Sequence, residues 1–226
     1  DIIIVVGYRE EAIRDHFGDG SGFGVSIKYV VQRKQLGTAD ALRTAEPFVT
    51  DTFLMLNGDM VITVDDLQKI CKTKAPVMAV STTSHPQDFG VVTLNGDKIA
   101  SLEEKSLEPK SNIINAGAYL FETEIFDILK KVSPSSRGEY ELTDALMDYI
   151  AENRLSAHQL SIWMDVGYPW DMLTANEQSS LLKLSINSMC MKIVSEDIMF
   201  SKKTYEECPC ECFGGNIEIG LKGNYV

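Results

Sequence analysis

The chain has 226 residues, 44% of them hydrophobic and 24% charged. That is ordinary globular composition, enough for one large domain or a domain with an appendage. A formal net charge of −12 argues against a nucleic-acid binder, because phosphate backbones are held by clustered Lys and Arg. It does not exclude a small phosphorylated substrate, which needs only a few cations, backbone N–H groups or a metal ion. No apolar run approaches the ~18 to 20 residues of a membrane span. The N-terminus lacks the basic-then-apolar order of a signal peptide, so the expectation is a soluble, cytoplasmic protein.

The first element is a β-branched run, Ile2 to Val6, which predicts a strand covered on both faces. Ala12, Ile13 and Phe17 then recur at helical intervals. GDGSGFG (18–24) reads as a loop, since its glycines lack the dinucleotide-binding spacing and lead into a strand, VSIKYVV (25–31). Ala41, Leu42 and Ala45 give a helical face from Thr38, stopped by Pro47. FLMLN (53–57) is a third strand, and Thr63 to Asp66 resembles a capping box opening a helix to about Lys72. PVMAVSTT (76–83) is a fourth strand.

This alternation predicts an α/β fold with a Rossmann-like, mixed but mainly parallel sheet flanked by helices. The next portion differs. GVVTLNGDKIASLEE (90–104) reads as a hairpin around Asn95-Gly96, followed by a strand at INAGAYLF (114–121). Helices are expected at about 124–132 and 141–153, a strand at AHQLSIWMDV (157–166), and a helix from Trp170 to about Leu184. His16, His85 and His158 have no partner spacing for a triad or a metal and receive no role.

Five cysteines (Cys71, Cys190, Cys208, Cys210 and Cys212) are an odd count that predicts reduced thiols. CPCEC (208–212) reads as linker in preference to zinc, whose structural sites want wider spacing and a second, distant pair.

The apolar run Phe53 to Leu56 ends on Asn57, Gly58 and Asp59. A turn accounts for Asn-Gly, which tolerate positive φ, but not for the carboxylate. Ligands of open parallel sheets bind beyond the carboxyl ends of the strands. Asp59 is placed at such an end, and so is Asp165, after Ile162, Trp163 and Met164. Each alone is equally well a turn residue or a cap; together they suit a hard cation held by oxygen ligands.

LNGDM (56–60), VVQRKQLGTADAL (30–42), EEKSLEPKSNIINAGAYLF (103–121) and WMDVGYPWDMLTANE (163–177), in this order and spacing, resemble the sugar-1-phosphate nucleotidylyltransferases. The resemblance runs from Asp1 to about Leu182, and RGEYELTDAL (137–146) is most similar to the archaeal branch. Some members there carry a left-handed β-helix acetyltransferase domain, whose opening rung NIEIGLKGNYV (216–226) resembles. The resemblance implies the nucleotide-diphospho-sugar transferase fold over 1–184, a linker over 185–213 and the start of a left-handed β-helix over 214–226. It implies transfer of a nucleotidyl group from UTP or dTTP to glucose 1-phosphate or N-acetylglucosamine 1-phosphate, with release of pyrophosphate. Oligomeric state stays open, although a complete β-helix would favour a homotrimer.

By the same resemblance, Asp59 and Asp165 bind Mg2+, and Gln32, Gly37 and Thr38 hold the base. Gly90, Glu104 and Asn115 hold the sugar, and Lys105 offsets phosphate charge. Without the family, Thr38 is a helix N-cap, Glu104 and Lys105 a solvated pair, and Asn115 a turn residue. Trp163, Gly167 and Trp170 read as packing around Asp165.

The family's N-terminal glycine-rich phosphate loop, with its Arg and Pro-Lys pair, is not among these residues. The expectations are weak or no turnover by the chain alone, and apolar sheet surface left open beside the first strand. A non-catalytic scaffold or regulatory subunit with the same fold is the alternative reading.

Overall fold

The computed structural model describes residues 1–177 and 198–201. The β-branched run forms β1 (Ile2–Val6), paired in parallel with β2 (Ile27–Val31). Between them lies α1 (Glu10–Phe17). The helix α2 (Thr38–Ala45) buries Ala39, Ala41, Leu42 and Ala45, and Pro47 falls in the short 3-10 turn that ends it. The strand β3 (Phe53–Leu56) is buried throughout. A strand that local pattern did not announce, β4 (Met60–Ile62), follows Asp59.

The helix α3 (Val64–Lys72) starts at the expected cap, with Thr63 Oγ1 accepting the Asp66 N–H. Next come β5 (Val77–Thr82), the hairpin β6 (Gly90–Asn95) and β7 (Lys98–Glu104), and the long β8 (Ile113–Phe121). The helices α4 (Ile125–Leu129) and α5 (Leu142–Ala151) lead to β9 (Ser156–Gln159). The chain then leaves the main sheet for β10 (Trp163–Asp165) and a helical stretch over 171–177, and β11 (Ile198–Ser201) lies in the main sheet again.

The nine-stranded sheet has the order β2-β1-β11-β3-β8-β5-β9-β7-β6, and a β8–β6 pairing returns its far end onto β8. The sheet is mixed, as expected, but "mainly parallel" holds only for direction. Among bonded neighbours, only β1–β2 and β5–β9 are parallel. The reason is that β8 and β11 each insert antiparallel between strands that run the same way. Because β11 bonds both β1 and β3, the sheet edge expected to lie open beside β1 is paired. Its residues fall within the segment read as linker, where no strand was expected. The β-helix rung over 214–226 and Cys190, Cys208, Cys210 and Cys212 lie outside the described residues; Cys71 is a buried free thiol.

The central strands are apolar on both faces because both are covered. Phe53, Met55, Met78, Val80, Tyr119 and Phe121 pack with α2, α4 and α5. Leu54, Leu56, Val77, Ala79 and Leu120 pack with Ile70 and Cys71 of α3. Each fully buried Val, Leu, Ile, Met or Phe among them contributes about 1.5–3 kcal/mol. Among the described residues no helix is long and apolar enough to cross a membrane.

β3 stops at Leu56 for a reason that lies on its neighbour. Gly117 of β8 has φ +77, and the β5–β8 register breaks at this level. The Asn57 N–H donates to the Gly117 carbonyl, and the Asn57 side chain fills the space a Cβ would need, 2.8 Å from its Nδ2. Gly117→Ala therefore combines αL strain with a clash. A loss of about 1–3 kcal/mol in urea denaturation is expected, whereas Gly96→Ala, with open space around it, loses less.

Candidate active site

Asp59 and Asp165 meet through a two-stranded ribbon, not through the ends of two sheet strands. The expected strand over 157–166 breaks into β9, in the main sheet, and β10, which pairs antiparallel with β4. Asp165 lies opposite Met60, and the Val166 N–H donates to the Asp59 carbonyl at 2.7 Å. Asp165 is half-buried; its carboxyl is held above the usual range by burial first, then by the charges of Asp59 and Asp171. Such a pair attracts a cation. No group of three or more His, Cys, Asp or Glu suited to a metal occurs among the described residues. The two carboxylates are oxygen donors of the kind that could hold a hard divalent cation.

Gln32 follows β2, its N–H bonded to the Val6 carbonyl. Its Nε2 donates to the Gly37 carbonyl at 3.2 Å and to Asp40 Oδ2 at 2.9 Å. Both partners are acceptors, so the amide orientation follows from chemistry. The two N–H groups are used, and Oε1 is left as an acceptor. Gly37 sits at φ +100, its missing Cβ occupied by Tyr140, whose carbonyl would be 2.5 Å away. Thr38 is the first residue of α2, not its cap; its Oγ1 accepts the Leu142 N–H across 104 residues.

The third group converges as well. Gly90 faces Glu104 across the β6–β7 ladder, and a Cβ on Gly90 would lie 3.1 Å from Glu104 Oε2 and 3.5 Å from Asn115 Cβ. Asn115 Oδ1 accepts the Gly117 N–H, and its amide exchanges hydrogen bonds with the Tyr119 hydroxyl. Lys105 takes φ 46 and donates its N–H to the Phe89 carbonyl, and its charge acts on Glu104. Glu104 is open to solvent yet hemmed by protein, which raises its carboxyl; Lys105 opposes the rise and Glu141 adds to it.

Two contacts tie the Gly90–Glu104–Asn115 group to the acid ribbon. Trp163 Nε1 donates to the Ala116 carbonyl at 2.9 Å, and its ring meets Phe89 edge-on at 5.4 Å. Trp163 is thus the expected support, and Gly167 lies against Asp165, where a Cβ would be 3.1 Å from Oδ2. Trp170 is not: it is 63% exposed and stacks on Tyr168.

Sequence reading missed the 137–142 segment as part of the site. Tyr140 clamps the Gln32 loop by bonding Leu36 and Ala39, while Arg137 and Glu141 pair at 2.8 Å within the electrostatic reach of Glu104. Its local signal was the RGEYELTD string, whose partners lie about 100 residues upstream and are invisible to local pattern.

The family model for nucleotidyl transferases matches residues 1–180, and the chain belongs to that family. It is 43% identical over 181 residues to the bifunctional protein GlmU of Methanococcus maripaludis strain C7, covering 78% of this chain and 43% of that protein. It is 35% identical over 184 residues to a glucose-1-phosphate thymidylyltransferase of Streptomyces griseus, covering 78% and 52%. The chain thus spans about half, or less, of the length of these curated relatives.

A solved structure from Bacillus anthracis, assigned as a glucose-1-phosphate thymidylyltransferase, superposes with a TM-score of 0.68 at 31% identity, over 78% of this chain and 75% of that one. A UDP-glucose pyrophosphorylase solved with UDP-glucose shares the fold, with a TM-score of 0.68 at 21% identity over 80% of each chain.

Proposed function

We propose that the chain belongs to a cytoplasmic sugar-1-phosphate nucleotidylyltransferase. It transfers a uridylyl or thymidylyl group to glucose 1-phosphate or N-acetylglucosamine 1-phosphate. A phosphate oxygen of the sugar attacks the α-phosphorus in line, the bond to the bridging oxygen breaks, and pyrophosphate leaves. The observation that carries this reading is the convergence of Gly90, Glu104 and Asn115 on one another, beside a ribbon bearing two carboxylates.

Each group has a task that its surroundings suit. Gln32 presents only Oε1, an acceptor for the imide N–H of uracil or thymine; cytosine offers no hydrogen there. Glu104 accepts from sugar hydroxyls, and Gly90 leaves room for the ring. Lys105 offsets the charge of the sugar phosphate. Bound by Asp59 and Asp165, Mg2+ would neutralise phosphate oxygens where charge develops. Positioning and charge neutralisation dominate such a displacement.

The test is pyrophosphate release by the complete gene product with Mg2+, across a grid of nucleoside triphosphates and sugar 1-phosphates. Release with UTP or dTTP and a hexose phosphate is the expected result; silence across the grid overturns the reading. Acidification adds a second check. Because the Glu104 carboxyl is raised, it takes up its proton at a higher pH than an ordinary glutamate and then accepts less well. Sugar-phosphate affinity is expected to fall on the acid side, starting above the usual glutamate range, and Glu104→Gln removes that limb of the KM profile.

A further inference from the structure

Asp66 is a buried carboxylate whose position at the start of α3 does not account for its partners. It is 1% exposed. A capping acid ordinarily stays in water, and the neighbouring Asp65 does so, paired with Lys69 at 2.6 Å. Asp66 instead turns inward. Its Oδ2 accepts from the Thr63 hydroxyl at 2.8 Å, the Ser161 N–H at 3.0 Å and the Ser161 hydroxyl at 2.6 Å. His158 Nε2 stands 3.5 Å from Oδ1, beyond a full hydrogen bond. Burial alone would raise this carboxyl, but the bonds from Ser161 and Thr63 outweigh it and hold it low, so Asp66 is ionised at neutral pH.

Asp66, His158 and Ser161 are the residue types of a hydrolytic triad, yet the order is wrong. The Ser161 hydroxyl gives its hydrogen to the carboxylate, and His158 Nε2 has no hydrogen-bond partner among the described residues.

What Asp66 does hold is the ribbon. β4 and β10 pair over three positions only, and a two-stranded unit that short is marginal by itself. At one end it is closed by the Val166–Asp59 backbone bond, beside the two candidate metal carboxylates. Ser161 lies two residues before β10 and Asp66 four residues after β4, so their bond closes the other end, joining residues 95 apart.

We infer that Asp66 is a positioning residue which, through Ser161, sets the separation of Asp59 and Asp165 and thereby the affinity of the pair for a divalent cation. This rests on the reading of Asp59 and Asp165 as metal ligands. Partners of this kind, acting behind the ligands, are worth about 10-fold or more in metal affinity.

The test is Mn2+ binding by the complete gene product, followed by electron paramagnetic resonance of free Mn2+. Five variants are compared: Ser161→Ala, Ser161→Thr, Asp66→Asn, Asp59→Asn and Ile70→Val. The last removes a buried methyl from the same helix and serves as a matched destabiliser. Thermal melting places the titrations below each midpoint, and Ser161→Ala, which alters an exposed residue, serves if Asp66→Asn does not fold. Expected is loss of the saturable site in Asp59→Asn and about 10-fold weaker binding in Ser161→Ala and Asp66→Asn. Ser161→Thr restores affinity, and Ile70→Val melts lower with affinity unchanged. Parent-like Mn2+ affinity in folded Ser161→Ala overturns the inference while leaving the ligands intact. A parent without a site that Asp59→Asn removes overturns the metal reading and this inference together.

Discussion

Asp59→Asn is expected to cut pyrophosphate release by about 10²–10³-fold or more, the scale of losing a main charge-stabilising group in a transition state. The substitution keeps the shape of the side chain and leaves the Asp59 backbone carbonyl on Val166, so the ribbon should stay folded. What disappears is one of two charges. Asp165, whose carboxyl is raised in part by Asp59, becomes easier to ionise, but a single carboxylate holds a hard cation poorly. The effect should therefore appear in kcat and in the Mg2+ concentration needed for half-activation, with circular dichroism and melting near parent values. Unchanged turnover would return Asp59 to the role of a turn residue and would overturn its assignment as a metal ligand.

Gly37→Ala is expected to damage both stability and nucleotide affinity. At φ +100 and ψ 173 the backbone occupies a region essentially reserved for glycine. The added Cβ would also stand 2.5 Å from the Tyr140 carbonyl oxygen and 3.0 Å from its nitrogen. Those backbone atoms bond Ala39 and Leu36, so the neighbour cannot yield without breaking the clamp. Strain and overpacking together come to roughly 2–5 kcal/mol, a large part of the ~5–15 kcal/mol that holds a domain folded. Urea denaturation should register the loss. In the fraction that folds, the displaced loop carries Gln32 with it, through the Gln32 bond to the Gly37 carbonyl, and the KM for the triphosphate should rise at least tenfold. A variant with parent stability and parent KM would contradict both the contact and the nucleotide assignment of the loop.

The order of elements was legible because burial is written into local pattern. Strands covered on both faces must be apolar throughout, as Ile2 to Val6 and Phe53 to Leu56 are, and α2 and α3 announced themselves by spacing and by the Thr63 cap. Strand pairing was not legible. β8 and β11 insert between strands from which they are separated by long stretches of chain, and no local periodicity encodes a neighbour. Nor did the run over 157–166 reveal that it breaks; at the break Ser161 bonds Asp66, 95 residues away, a partner that local pattern cannot show.

Of the candidate site, the residue types carried the chemistry: two acids, an amide, a glycine, a cation. By itself the sequence determined the α/β class, the solvent-facing or buried character of each element and the chemical groups on offer. Only the tertiary structure decided which of those groups meet. Hydrogen bonds such as Gln32 to Asp40, Thr38 to Leu142 and Asp66 to Ser161 act over a few ångströms of space, and distance along the chain does not specify them.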